Sequence, residues 1–395
     1  MKTDNRWGGI HLRFIHTADW HLGRYFHGMH LTADQREIIM GQIVPFVREE
    51  GVEAVIIAGD IYDRGVPPVE AVDLFDEFLM KMAELRVKVF YIVGNHDSDS
   101  RLNFGSRLMR EAGIFARGRL DAEMAPVIVE DDFGPVAIYL YPYMEPASVK
   151  AAFGVTEALD FEKAHELVIE KSLTGAPEKM RSIAVAHAFL AGGTSSDSER
   201  PLAVGGSSNI RPGIFRPFCY TALGHLHNPQ RAGADTIRYS GSLMKYSFDE
   251  AEQKKGFFLV NLDGSGRAEQ QFVPLVPPHD IRRVRGLFAD IEGDRTAYPQ
   301  SDDYIEVELL DRGIILDVFN KLKAIYPNLM HVLYPNLQRE GMMREQEGQA
   351  VLKLTEETLF SQYYEDMTGE KLGEEQQAIV HSCLQEIYRE ERDAK

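Results

Sequence analysis

From residue 12 to about 275, short apolar runs alternate with stretches of helical periodicity. The first run, Leu12–Thr17, leads to a helix that Thr32-Ala33-Asp34-Gln35 opens as a capping box of the S/T-x-x-Q kind. A second strand is expected at Ala54–Ala58, a helix from about Pro67-Pro68, and a third strand at Val87–Val93. Strands covered on both faces read as continuous apolar runs, so this is βαβ grammar. Further runs at Val136–Tyr141, Ile183–Ala186 and Tyr220–Leu223 have few helical residues between the last two. The pattern predicts an α/β fold: a two-sheet β-sandwich flanked by helices, over residues 12–275.

Val273–Pro278 carries three prolines in six residues and reads as a linker. Beyond it, Asp303–Leu310 alternates like a strand and Val318–Ile325 is helical, which predicts a small α+β module over 279–345. Gln338–Gly348 is polar and reads as a second linker. Residues 350–395 hold two amphipathic stripes, Leu359/Phe360/Tyr363/Tyr364/Met367 and Ile379/Val380/Cys383/Leu384/Ile387/Tyr388, separated by Gly369 and Gly373. They predict two C-terminal helices with exposed apolar faces.

Composition narrows the class. The 395 residues are 44% hydrophobic and 10% aromatic, which excludes a disordered tail or a disulfide mini-protein and leaves room for two or three domains. Cys219 and Cys383 stand far apart, so neither a disulfide framework nor a CxxC zinc site is available, and a reducing compartment fits. No apolar run approaches the roughly 18 residues of a membrane span, and Met1–Gly9 lacks the apolar core of a signal peptide. The expectation is a soluble, cytoplasmic chain with no membrane association. A net charge of −18 argues against unaided binding to nucleic acid, so metal ions or a basic partner would have to compensate.

Five of the apolar runs end in residues able to hold a metal: Asp19-Trp20-His21, Gly59-Asp60, Gly94-Asn95-His96-Asp97, His187, and Gly224-His225-Leu226-His227. Singly, each has a plain structural reading. Asp-x-His is a turn with a surface histidine, Gly-Asp a helix cap, Gly-Asn-His-Asp a loop, and His187 a core histidine. Together they have no shared structural reason, whereas loops at the carboxyl ends of strands in an α/β sheet converge on one crevice. Asp, Asn and His without Cys suit manganese, iron or zinc. These candidate groups are too many for one ion but match a pair about 3.5–4 Å apart, which hydrolyses phosphate esters by activating water and clamping the attacking and leaving oxygens.

These motifs, in this order, resemble the calcineurin-like metallophosphoesterases over about residues 12–245. Gly59–Arg64, Ser198-Glu199-Arg200, Tyr220–Gln230 and Tyr239-Ser240-Gly241-Ser242 narrow the resemblance to the SbcD family of bacterial DNA repair nucleases, and the C-terminal tail is similar as well. The resemblance implies that Asp19, His21 and His227 hold one ion and Asn95, His187 and His225 the other, with Asp60 bridging and manganese as the ion supplied. It keeps His96 off the metals, to contact the phosphate and protonate or stabilise the leaving oxygen. Asp97 either orients His96 or forms a turn. Archaeal and eukaryotic relatives carry a histidine three positions after the bridging Asp, where this chain has Asp63.

The resemblance also implies partners. The helix at 69–85 is apolar nearly all round, and its second face is left either for a homodimer, with helices near 101–112, or for an insertion of the same chain. The C-terminal helices either fold back or, as in the family, dock on an SbcC-like ATPase, and the 279–345 module would cap the site and shape DNA access. Gly192–Arg200 borders a DNA path or is a solvated linker, and Arg101, Arg107 and Arg110 are candidate phosphate contacts or ordinary surface arginines. The function expected is two-metal DNA phosphodiester hydrolysis, exonuclease and endonuclease, within an ATP-dependent repair complex. Its rivals are a stand-alone phosphoesterase for small phosphodiesters or nucleotides, mildly favoured by the acidic charge, and a scaffold without catalysis, which the filled ligand positions disfavour.

Overall fold

Two six-stranded sheets form the larger part of the molecule in a computed structural model, which describes residues 11–177, 180–200 and 209–336, with 360–361, 364, 371–373, 376–381 and 383. The first sheet runs in the order Ala268–Pro274, Gly256–Leu262, Leu12–Thr17, Ala54–Ile57, Lys88–Ile92, Ile114–Arg117. Its last four strands are mutually parallel. The second runs Gln230–Ala232, Ala234–Tyr239, Tyr220–Gly224, Arg181–His187, Gly134–Tyr141, Val127–Asp131, again with four parallel strands at its centre.

Side-chain alternation assigns each strand two cores. Ile183 and Val185 meet Phe14, Ile56, Phe90 and Val260 between the sheets. Ala184 and Ala186 point the other way, onto Val149 of the helix Pro146–Phe153 and Ala164 and Val168 of the helix Phe161–Leu173. The predicted two-sheet sandwich flanked by helices is therefore the observed fold.

The helix Val69–Leu85 buries Ala71, Leu74, Phe75, Phe78, Leu79 and Met82, while Val69, Val72 and Met80 stay exposed. Residues 32–49 are helical as expected, passing through a wider turn at Ile39–Ile43, but the capping box does not form. Leu31 is the N-cap, with no side-chain cap bond. Gln35 is buried and spends its amide elsewhere, donating to the main-chain oxygens of Trp20 and His21 at 3.1 and 2.9 Å.

The chain divides into two compact units, residues 1–282 and 283–395. Ala268–Pro274, at the start of the proline-rich stretch, is an edge strand of the first sheet. The smaller unit contains the strands Tyr304–Leu309 and Leu329–Leu333 and the helices Phe288–Gly293 and Val318–Lys323, packed around Ile291, Ile305, Val307 and Leu322. Phe360, Ser361, Tyr364, 376–381 and Cys383 are helical. The rest of the two C-terminal stripes, the Gln338–Gly348 linker and Met1–Gly9 lie outside the described residues. Among the described residues no helix is long and apolar enough to cross a membrane.

His16 is sealed between the sheets. The Leu223 carbonyl can only accept, so Nε2 carries the proton at 3.1 Å, and Nδ1 accepts from the Tyr220 hydroxyl at 2.9 Å. Burial outweighs the carbonyl bond and pushes the imidazole down to about 3 from an ordinary 6.5. His16 therefore stabilises the fold above pH 6.5, and that contribution is lost as the pH falls toward 3. Urea denaturation from pH 7 down to pH 5 should show this as a slope that shrinks in His16→Gln by one proton, about 1.4 kcal/mol per pH unit.

Candidate metal centre

The five strand ends meet at one edge of the sandwich. Asp19 and His21 follow Leu12–Thr17, Asp60 follows Ala54–Ile57, and Asn95, His96 and Asp97 follow Lys88–Ile92 in the first sheet. His187 ends Arg181–His187, and His225 and His227 follow Tyr220–Gly224 in the second. Main-chain bonds knit the ends together: Asp19 N to Gly59 O at 3.0 Å, His21 N to Asp60 O at 3.0 Å, and Leu22 N to Ile61 O at 2.8 Å.

Asp19, His21, Asp60 and His225 all adopt positive φ, at 52, 45, 49 and 104°. Such backbone costs a non-glycine residue about 1–3 kcal/mol and persists where surrounding contacts over-determine it. Two glycines allow the approach. A Cβ on Gly94 would lie 2.1 Å from Asp60 Oδ1, and one on Gly224 would lie 2.0 Å from the Ala58 carbonyl oxygen.

Among the described residues, three groups each bring their potential ligand atoms within 4.8 Å of one another: Asp19/His21/His227, His21/Asp60/His96, and Asp19/Asp60/His187. His21 Nε2 is 3.0 Å from His227 Nε2 and 3.8 Å from Asp60 Oδ2, and His187 Nε2 is 3.4 Å from the same oxygen. Asn95 joins through Oδ1, 2.9 Å from His187 Nε2. His225 belongs to none of the three groups. Its ring stands edge-on to His187 at 5.4 Å, and its main-chain N–H donates to both oxygens of Asp19 at 2.9 and 3.0 Å.

The electrostatics follow from burial. Burial raises Asp19 well above the carboxylate range, against the pull of His187. For Asp60, burial is outweighed by His187, His96 and His21, which hold it well below that range. Burial works against a charge on His187, but the Asp60 and Asp19 carboxylates push it up to about 9. His21, His225 and His227 are held down by burial and so keep free lone pairs. Two buried carboxylates and the imidazole nitrogens facing them form a donor set that fits borderline divalent cations.

His96 donates from Nδ1 to the Asp63 carbonyl at 2.9 Å and presents Nε2, 3.9 Å from Asp60 Oδ2. For Asp97 two uses are open, orienting His96 or forming a turn. The Asp97 carboxylate accepts from the main-chain N–H of Gly94, Ile61 and Tyr62 at 3.0, 3.1 and 2.8 Å, so it ties two strand-end loops together. The turn-forming alternative is closer to what is observed. Burial, then the Asp60 charge, push its carboxyl up to about 7 against those three bonds.

Several residues that sequence reasoning passed over stand directly behind the ligands. Tyr246 accepts from Gln35 at 3.1 Å, donates to the Trp20 carbonyl, and sets its ring 5.4 Å from His21 and 5.7 Å from His227. Glu199 accepts from the His227 N–H at 2.6 Å, and burial raises its carboxyl to about 7. Glu250 is buried beside Lys255. Burial pushes its carboxyl up, but Lys255 and His227 prevail and hold it well below the usual range. None carries a local motif; only Ser198-Glu199-Arg200 offered a signal, through family resemblance.

Comparison with known proteins accords with this geometry. A family model described as calcineurin-like phosphoesterase matches residues 12–142, and one described as the Type 5 capsule protein repressor C-terminal domain matches residues 277–368. The SbcD chain of the nuclease SbcCD from Staphylococcus epidermidis is 29% identical over 377 residues, covering 94% of this chain and 98% of that protein. Among solved structures, the Plasmodium protein GAP50, described as the anchor in the inner membrane complex, is 12% identical, covering 82% of this chain and 96% of its own, at a TM-score of 0.41. A dimetal phosphatase from Danio rerio is 14% identical, covering 67% and 99%, at a TM-score of 0.34. Scores this low carry no inference.

The Gly94 approach gives a direct check of the packing. Gly94→Ala should cost about 1–3 kcal/mol in thermal denaturation and displace Asp60. Gly213→Ala, whose Cβ meets nothing within 4 Å, should stay within about 0.5 kcal/mol of the parent.

Proposed function

The chain belongs to the SbcD family of calcineurin-like nucleases, and from that premise we propose that it hydrolyses DNA phosphodiesters with two divalent cations, manganese first among them. The observation that carries the proposal is the convergence of Asp19, His21, Asp60, His187 and His227 from strand ends of both sheets onto one buried cluster. Asp19, His21 and His227 would hold one ion, Asn95, His187 and His225 the other, and Asp60 would lie between them. When bound, such a pair supplies a water ionised near neutral pH and neutralises charge on the attacking and leaving oxygens.

The protein's own side chains do the rest. His96, fixed by its Nδ1–H on the Asp63 carbonyl, turns Nε2 toward the cluster, where that nitrogen would contact the phosphate and, when the ring is protonated, carry the proton for the departing oxygen. Asp97 is a positioning residue that keeps the Asp60 and Asn95 loops in register. Ligands that are already anchored cost little reorganisation when charge develops, which is where much of the rate comes from.

In this reading the chain is the nuclease component of an ATP-dependent DNA repair complex in the cytoplasm. It dimerises through the face of Val69–Leu85 that leaves Val69, Val72 and Met80 exposed, with Phe104 and Leu108 nearby in sequence and likewise exposed. Residues 279–345 would serve DNA access, and residues 350–395 would dock on an SbcC-like ATPase. Cations at the centre offset the −18 charge as the DNA backbone approaches.

The purified chain with manganese, alone and with its ATPase partner, should shorten end-labelled duplex DNA. Chelation should abolish the activity, and His96→Ala should lower cleavage at least about 100-fold while two ions still bind by calorimetry. Cleavage of a small chromogenic phosphodiester alone, with DNA intact even beside the partner, would instead make the chain a stand-alone phosphoesterase.

A further inference from the structure

Behind His227, on the ring edge opposite its contact with His21, a line of buried polar groups ends in an ion pair. Lys255 Nζ lies 2.7 Å from Glu250 Oε2 and also donates to the main-chain oxygen of His227 at 2.7 Å. The Ser198 hydroxyl donates to Glu250 Oε1, and Ser198 Oγ lies 2.6 Å from His227 Nδ1. Glu250 Oε1 itself is 3.3 Å from that nitrogen. Ser198, Glu250 and Lys255 are all buried.

The hydrogen-bond directions follow from valence. An ammonium only donates and its paired carboxylate only accepts, so the single hydroxyl proton goes to Glu250 and the hydroxyl oxygen receives Nδ1–H from His227. That tautomer leaves the lone pair on Nε2, the nitrogen that faces His21 at 3.0 Å. Ser198 is fixed independently, because its carbonyl accepts from Arg24 Nη2 at 3.3 Å. Two other imidazoles of the cluster, His187 and His96, place Nδ1 on main-chain carbonyls, Ala58 at 2.9 Å and Asp63 at 2.9 Å. Only His227 among these three is oriented by a charged side chain.

We infer that Glu250, acting through Ser198 and anchored by Lys255, is the positioning residue of His227 and sets cation affinity at the Asp19/His21/His227 position selectively. The inference rests on the two-ion reading above. A carboxylate behind a ligand imidazole fixes its tautomer and raises its basicity, and loss of such a partner typically weakens metal binding roughly 10–100-fold. The position around Asp60 and His187 has no link to Glu250 through His227 and keeps its affinity.

Calorimetric titration of the metal-free full chain with Mn2+ tests this, with thermal denaturation of each apoprotein alongside. Wild type should bind two ions. Ser198→Ala, which leaves the Glu250–Lys255 pair intact, should weaken one of them roughly 10–100-fold and leave the other within about twofold. Ser198→Thr, keeping a hydroxyl, should restore it. Glu250→Gln should show the same selective loss, and the double variant should lose no more than the larger single effect, because one relay is being cut twice. Equal weakening of both ions together with a fall in apoprotein stability, or unchanged affinities in Ser198→Ala, would overturn the relay while the two-ion reading stands. Fewer than two ions on wild type would overturn that reading and the relay with it.

Discussion

Two carboxylates, Asp19 and Asp60, are buried side by side, and the surroundings of the centre are arranged to make that tolerable. An ionised carboxylate taken out of water costs several kcal/mol unless charge and hydrogen bonds replace the lost solvent. His187 stands between the two, 3.9 Å from Asp19 and 3.4 Å from Asp60. The His225 N–H bonds Asp19 and the His96 N–H bonds Asp60 at 2.9 Å. Those bonds require the chain to turn sharply where each strand ends, which is why four of the cluster residues carry positive φ and why glycines sit at the points of closest approach. Strain at these turns and attraction for cations have one origin.

Behind the ligands lies a second set of groups whose work is to keep imidazole lone pairs aimed inward. A neutral histidine has one donor and one acceptor nitrogen, so whatever accepts from Nδ1 decides that Nε2 is free. For His96 that acceptor is the backbone, and His187 too places Nδ1 on a main-chain carbonyl. For His227 it is a hydroxyl tied to a buried ion pair, a costlier device because removing one partner leaves an uncompensated charge. Gln35 and Tyr246 play the corresponding part for the turn at Trp20 and His21, holding its carbonyls rather than its rings.

Much of the frame was legible from local pattern. The runs at Leu12–Thr17, Val136–Tyr141 and Tyr220–Leu223 are strands because continuous β-branched and aromatic sequence suits positions covered on both faces. The cluster was legible for a similar reason: in parallel strands the carboxyl ends lie together, so ligands placed just after apolar runs must meet. Local pattern failed where a polar side chain had two possible uses. Thr32 and Gln35 have capping-box spacing, yet burial of Gln35 against the Trp20–His21 turn offered its amide more bonds than the helix end did. Asp97, next to His96 in sequence, is bound instead to N–H groups that the neighbouring strand end brings within reach.

The sequence by itself determined the alternation of strands and helices, the residue types able to hold cations and their place at strand ends, since each depends on periodicity and order along the chain. Tertiary structure alone decided which nitrogen of each histidine is free, which carboxylate is held charged, and that Ser198, Glu250 and Lys255 stand behind His227. Those outcomes depend on distances between residues tens to hundreds of positions apart, and on burial that removes competing water, neither of which leaves a local mark in the order of amino acids.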